Sequence, residues 1–121
     1  MTKRQLSEFL QDILETIADI EAFTDGIDFE TFRVNREKIL AVVKSIEIIG
    51  EAVKRIPDDI RRQHTQIPWK AVAGMRDVLL HEYWGIDVKV LWATVQEGLP
   101  PLKTVILEIE KNLQNTSDAE N

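Results

Sequence analysis

The 121-residue sequence predicts an all-α fold, an antiparallel bundle of four to six helices whose C-terminal helix is kinked or broken. Three observations carry that expectation. Apolar residues recur at three- and four-residue steps along most of the chain, no segment alternates apolar and polar as a half-buried strand does, and the breaks fall at Gly, Pro and Asp positions. The length and the 44% hydrophobic content suit one domain with a substantial core and are too small for two. Residues 1–115 read as that domain, and 116–121, small and polar, as a disordered tail.

Each element follows from its own pattern. Leu6, Phe9, Leu10, Ile13, Leu14, Ile17 and Ile20 form the stripe of an amphipathic first helix that reaches about Phe23, where Thr24-Asp25-Gly26 breaks it. Asp28 is placed to cap a second helix from about Phe29 to Arg55. Its apolar set of Ile39, Leu40, Val42, Val43, Ile46, Ile48, Ile49, Ala52 and Val53 covers more than one face, which calls for two neighbours, or one neighbour and a second subunit. Pro57-Asp58-Asp59 ends that helix and starts a short one to about His64; Ile67-Pro68-Trp69 opens the next, expected to run to about Glu82 and stop at Gly85. Asp87 caps a helix bearing Val88, Leu91, Trp92 and Val95. Pro100 and Pro101 predict a break, yet Leu99, Leu102, Val105, Ile106, Ile109 and Leu113 stay in phase, so the two pieces are expected nearly end to end as a kinked helix.

Composition narrows the function classes. Without cysteine there is no disulfide framework, thiolate metal site or thiol nucleophile, which suits a reducing cytosol. Charges are spread through the N-terminal stretch and no run of about 18 apolar residues follows, so the expectation is a cytoplasmic protein with no membrane association. A net charge of −6 argues against a nucleic-acid partner, but its distribution is uneven. Between Lys54 and Arg76 lie six basic residues and two acidic ones, a local balance of +4. Arg55, Arg61, Arg62 and Lys70 in that stretch are the candidate nucleic-acid contacts, although a solvated mixed-charge surface would look the same.

Chemistry concentrates in Met75-Arg76-Asp77-Val78-Leu79-Leu80-His81-Glu82-Tyr83-Trp84, which holds one of the two histidines and the only tyrosine. On an ideal helix Arg76 and Tyr83 share a face, while His81 lies roughly 140° from Arg76. Two arrangements could bring Arg76 and His81 together: the helix unwinds before Gly85, or a second subunit contributes its own pair across a two-fold axis. An imidazole can move a proton to or from a ribose hydroxyl, and a guanidinium can hold charge developing on phosphorus. With an RNA substrate the 2′-hydroxyl is an internal nucleophile, so the protein need only orient it and transfer protons. The alternative at this level is structural: Arg76 paired with Asp77 or Glu82, His81 at a helix end, Tyr83 half in the core.

The string R-x-x-x-x-H-x-Y, here RDVLLHEY from Arg76 to Tyr83, resembles the signature of HepT-like members of the HEPN superfamily of small helical RNases. Its flanks agree in order and spacing: Ser45-Ile46-Glu47-Ile48-Ile49-Gly50-Glu51-Ala52, Ile67-Pro68-Trp69, Ala73-Gly74-Met75, Gly85-Ile86-Asp87, Trp92 and Leu99-Pro100. The similarity spans roughly Phe9 to Leu113. It implies a HEPN-like bundle and the toxin of a type VII-like toxin–antitoxin pair, a metal-independent ribonuclease acting as an RNA endonuclease or on tRNA without a cofactor. It also implies a homodimer whose two Arg–His pairs line a shared cleft. Carried over by motif position, Arg76 stabilises the scissile phosphate and His81 is the general acid/base. Tyr83 becomes the acceptor for AMP delivered from ATP by a partner nucleotidyltransferase antitoxin. Asp77 is an auxiliary residue that orients a catalytic group or pairs with Arg76. A different class of function remains open, a non-catalytic HEPN module that binds a nucleotidyltransferase, which the overall acidity favours; a third is a purely structural helical dimer.

Other singled-out residues read as structural. His81-Glu82 does not extend to a zinc-binding H-E-x-x-H, because Gly85 occupies the second ligand position. His64 is expected on the solvated surface, and Trp69, Trp84 and Trp92 in core or dimer contacts rather than stacking on bases.

Overall fold

The computed structural model describes residues 1–75, 77, 80–81 and 85–120, with side chains at 80, 81 and 117–120 outside the description. Thr2 caps α1 (Lys3–Thr24) in a reciprocal box: its hydroxyl accepts from the Gln5 backbone N–H at 3.1 Å, and the Gln5 side chain accepts from the Thr2 N–H at 2.9 Å. The stripe of Leu6, Leu10, Ile13, Ile17 and Ile20 is buried. Asp28 caps α2 (Phe29–Phe32) through the Thr31 N–H at 2.8 Å, and the Thr31 hydrogen bonds hold its carboxyl below the usual carboxylate range.

The single helix expected from Phe29 to Arg55 is in fact two. Asn35 interrupts it and caps α3 (Arg36–Val53) by accepting from the Lys38 N–H at 3.0 Å. The gain is packing: Phe32 is fully buried, with its ring centroid 5.0 Å from that of Trp92. The wide apolar surface of α3 is used twice, against α1 and against α5 (Trp69–Ala73), which follows the short α4 (Asp58–Arg62). Leu40 and Ile48 remain 45% and 42% exposed.

Gly50 explains how closely α3 and α5 approach. A Cβ built there would lie 3.1 Å from the Ala73 carbonyl oxygen and 3.5 Å from that of Val72. A glycine inside a helix costs about 1 kcal/mol relative to alanine, so its presence in this apolar run marks the crossing point. Gly50→Val should therefore destabilise the fold by about 1–3 kcal/mol, read as a lower urea midpoint with an unchanged m-value. An unaltered midpoint would show that the two helices are free to separate.

After α5, Met75 and Asp77 are again helical, but the helix expected to reach Glu82 does not persist. The backbone of β1 (Leu80–His81) is extended and pairs antiparallel with β2 (Gly85–Ile86), with Leu80 opposite Ile86 and His81 opposite Gly85. Gly85, at φ +88°, occupies the left-handed region that side chains disfavour. Asp87 then caps α6 (Val88–Ala93) through the Val90 N–H at 3.1 Å.

A π-helical turn over Thr94–Gly98 joins α6 to α7 (Leu99–Glu120). Pro100 and Pro101 stand directly after that turn, and the helix runs on through it, with the Leu99 N–H donating to the Thr94 carbonyl, so the π turn takes up the altered hydrogen-bond pattern and replaces the clean break they suggested. Leu99, Leu102, Val105, Ile106 and Ile109 are buried. Gln11 bonds Glu110 and Lys103 pairs with Glu21 at 3.0 Å, a pairing order that sets α1 and α7 antiparallel. The backbone of α7 is helical to Glu120. No described helix is long and apolar enough to cross a membrane.

Candidate functional site

The motif segment hangs between two anchored points. Upstream, α5 is locked to the preceding loop by Trp69, whose buried indole Nε1 donates to the carbonyls of Arg61 and His64, both at 3.0 Å. Downstream, the Asp87 cap fixes the start of α6, and Trp92 is half-buried against Phe29 and Phe32. The chain from Met75 to Gly85 must leave one anchor and reach the other, and the extended backbone at Leu80–His81 is how it does so.

Of the motif itself, Arg76 and Tyr83 lie outside the described residues, as does Trp84, and His81 is described only through its backbone. Asp77 is exposed, and its N–H donates to the Gly74 carbonyl at 3.1 Å. The backbone at His81 is extended and not helical, so the 140° separation from Arg76 that a regular helix would impose does not apply at this end of the motif.

The basic stretch divides. Arg61, Arg62 and Lys70 line one open pocket of about 470 Å³ together with Asp58, Thr65 and Trp69, whereas Arg55 lies outside it. Arg61 pairs with Asp58 through Nη2, and Arg62 Nε donates to the Asp58 carbonyl at 3.3 Å. The Arg61 side chain is only 26% exposed, and its Nε is buried without a hydrogen-bond partner. Thr65 is a member that sequence reasoning misses, because a lone threonine in a loop gives no signal. On the other side of Ile67, an apolar cleft of about 360 Å³ is bounded by Pro68, Val72, Met75, Leu99 and Pro101.

His64 departs from the surface position expected of it. Only 6% exposed, it lines a small cavity with Ile109, Asn112 and Leu113, because α4 turns the ring toward α7. That cavity joins residues more than forty positions apart, which local pattern cannot foresee. Among the described residues no three His, Cys, Asp or Glu side chains are grouped to hold a metal ion.

Comparison with known proteins gives a consistent assignment. The family model described as Ribonuclease HepT-like matches residues 13–109. A Thermococcus cleftensis protein named "Probable ribonuclease HepT" is 48% identical over 109 residues, covering 90% of this chain and 99% of that protein. Two Methanocaldococcus jannaschii proteins with provisional RNase names are 42% and 44% identical, over 98% and 94% of this chain and 98% of each relative. No solved structure matches significantly. With a matching family model over most of its length and full-length relatives at this identity, the chain belongs to the HepT-like ribonuclease family.

Proposed function

We propose that the protein is a metal-independent ribonuclease whose activity is switched off by modification of Tyr83. The observation that carries this reading is the complete R-x-x-x-x-H-x-Y string from Arg76 to Tyr83 in a chain of the HepT-like ribonuclease family. In the reaction the RNA 2′-hydroxyl attacks the adjacent phosphorus as His81 relays its proton, and the 5′-oxygen leaves with a proton. Arg76 holds the charge that accumulates on the phosphoryl oxygens. The protein acts as a homodimer, so that one shared cleft draws on the Arg and His of both subunits, with Asp77 beside Arg76 as an auxiliary group. Arg55, Arg61, Arg62 and Lys70 supply the positive face along which RNA lies, against the chain's net charge of −6.

The regulatory half of the proposal is a toxin–antitoxin pair in the cytoplasm. A nucleotidyltransferase antitoxin moves AMP from ATP to the Tyr83 phenol oxygen, releasing pyrophosphate. The phosphodiester so formed brings bulk and negative charge to where a substrate phosphate must sit, and repels it. Co-expression with a partner nucleotidyltransferase should add one or more AMP units to the intact mass, abolish RNA cleavage, and leave Tyr83→Phe unmodified and uninhibited. An unmodified chain that loses activity merely by complex formation would sink the modification and favour the module that only binds its partner.

A further inference from the structure

We propose that the pocket between α4 and the start of α5 is a subsite for a non-scissile RNA phosphate, held by Arg62 and Lys70 with Arg61 in reserve. This rests on the ribonuclease reading and adds a place to it. Charge along the sequence marks a basic stretch; the fold selects three of its cations, sets them around a single concavity of about 470 Å³, and leaves Arg55 out.

The chemistry of the wall suits one phosphate group. Arg62 and Lys70 are exposed side chains that reach the pocket from opposite sides of the loop joining α4 to α5, and Thr65 on that loop adds a hydroxyl. A planar guanidinium, an ammonium and a hydroxyl together offer donors around a tetrahedral anion. One carboxylate opposes them. Asp58 is spent on the Arg61 Nη2, so it neutralises one cation and leaves two uncompensated.

Arg61 is the unusual member. Its Nε is sealed from solvent without a partner, a state that costs free energy unless something else recovers it. An anion in the pocket competes with Asp58 for this guanidinium and lets the side chain reorient to use the idle donor. The floor is rigid, because the buried Trp69 indole bonds the carbonyls of Arg61 and His64 and so fixes α4 against α5. The pocket is also coupled to the motif by α5 and its continuation. Lys70 to Met75, the residue before Arg76, is at most about 18 Å of chain, so one short RNA can occupy both places.

The test uses the full-length chain with His81→Ala to prevent turnover, and a short fluorescein-labelled single-stranded RNA followed by anisotropy across a salt series. Arg62→Gln/Lys70→Gln should weaken binding about tenfold and make the slope of log K against log salt shallower by about 0.7, as expected when one fewer phosphate is neutralised on a single strand. Asp58→Asn should change affinity in the opposite direction, tightening it several-fold, which a misfolded variant would not do. Equal affinity and slope in parent and double variant overturns the subsite. Pocket-dependent binding by a native chain that cleaves no RNA keeps the subsite and overturns the ribonuclease reading, whereas no RNA binding by the parent overturns both.

Discussion

Alanine at His81 should lower RNA cleavage by roughly 10²–10⁴-fold, the range for loss of a positioned general acid/base. Arg76→Ala should cost about 10²–10³-fold, comparable with losing one donor to a developing oxyanion. On the proposed mechanism the two groups serve one transition state, so the double variant should be little worse than the poorer single one, their losses not adding. Initial rates on a fluorogenic RNA, measured on nucleotide-free protein, decide the matter. Thermal unfolding of each variant, measured beside the rates, separates lost chemistry from lost fold, and the expected outcome is a Tm close to that of the parent. If all three variants cleave at the parental rate, the motif is not catalytic in this chain; if the parent itself cleaves nothing yet binds its nucleotidyltransferase tightly, the binding-module reading gains.

Trp69→Ala should produce the largest loss of stability, about 3–5 kcal/mol. The substitution empties a buried aromatic volume and removes the indole N–H that ties together the carbonyls of Arg61 and His64, which keep only their backbone donors. In a chain of this size that corresponds to a fall in Tm on the order of 10–20 °C by circular dichroism. Trp69→Phe separates the two contributions: it keeps most of the apolar area, loses the indole N–H, and should cost about 1–2 kcal/mol. A shift below about 4 °C for the alanine variant would show that the junction of α4 and α5 is not where this part of the molecule gains its stability.

The local rules that worked in the sequence were those with short range. Asp28 and Asp87 cap where their side chains predict, and the Leu6-to-Ile20 stripe is buried. Asn35 was legible in principle, since Asn is a strong N-cap, but the continuous apolar pattern on either side outweighed it. Gly50 offered a comparable signal, as a glycine tolerated in a helix for close approach. What could not be read was long-range or too short for periodicity. His64 is buried by a helix far along the chain, and a two-residue pairing at Leu80–His81 is below the length at which strand alternation can be seen. For the site, sequence named Arg76, His81 and Tyr83, while the fold contributes the anchors on both sides and the sorting of Arg61, Arg62 and Lys70 from Arg55.

The π turn at Thr94–Gly98 also bears on how such a chain can change length. A π turn holds one more residue than the α turn it replaces, so a single deletion there can be absorbed by reverting to α geometry. The apolar face of α7 would keep its register against α1, and α6, with the motif segment before it, would keep its place. The turn is thus an expansion joint, and variation in length can be tolerated beside the site without being transmitted to the core.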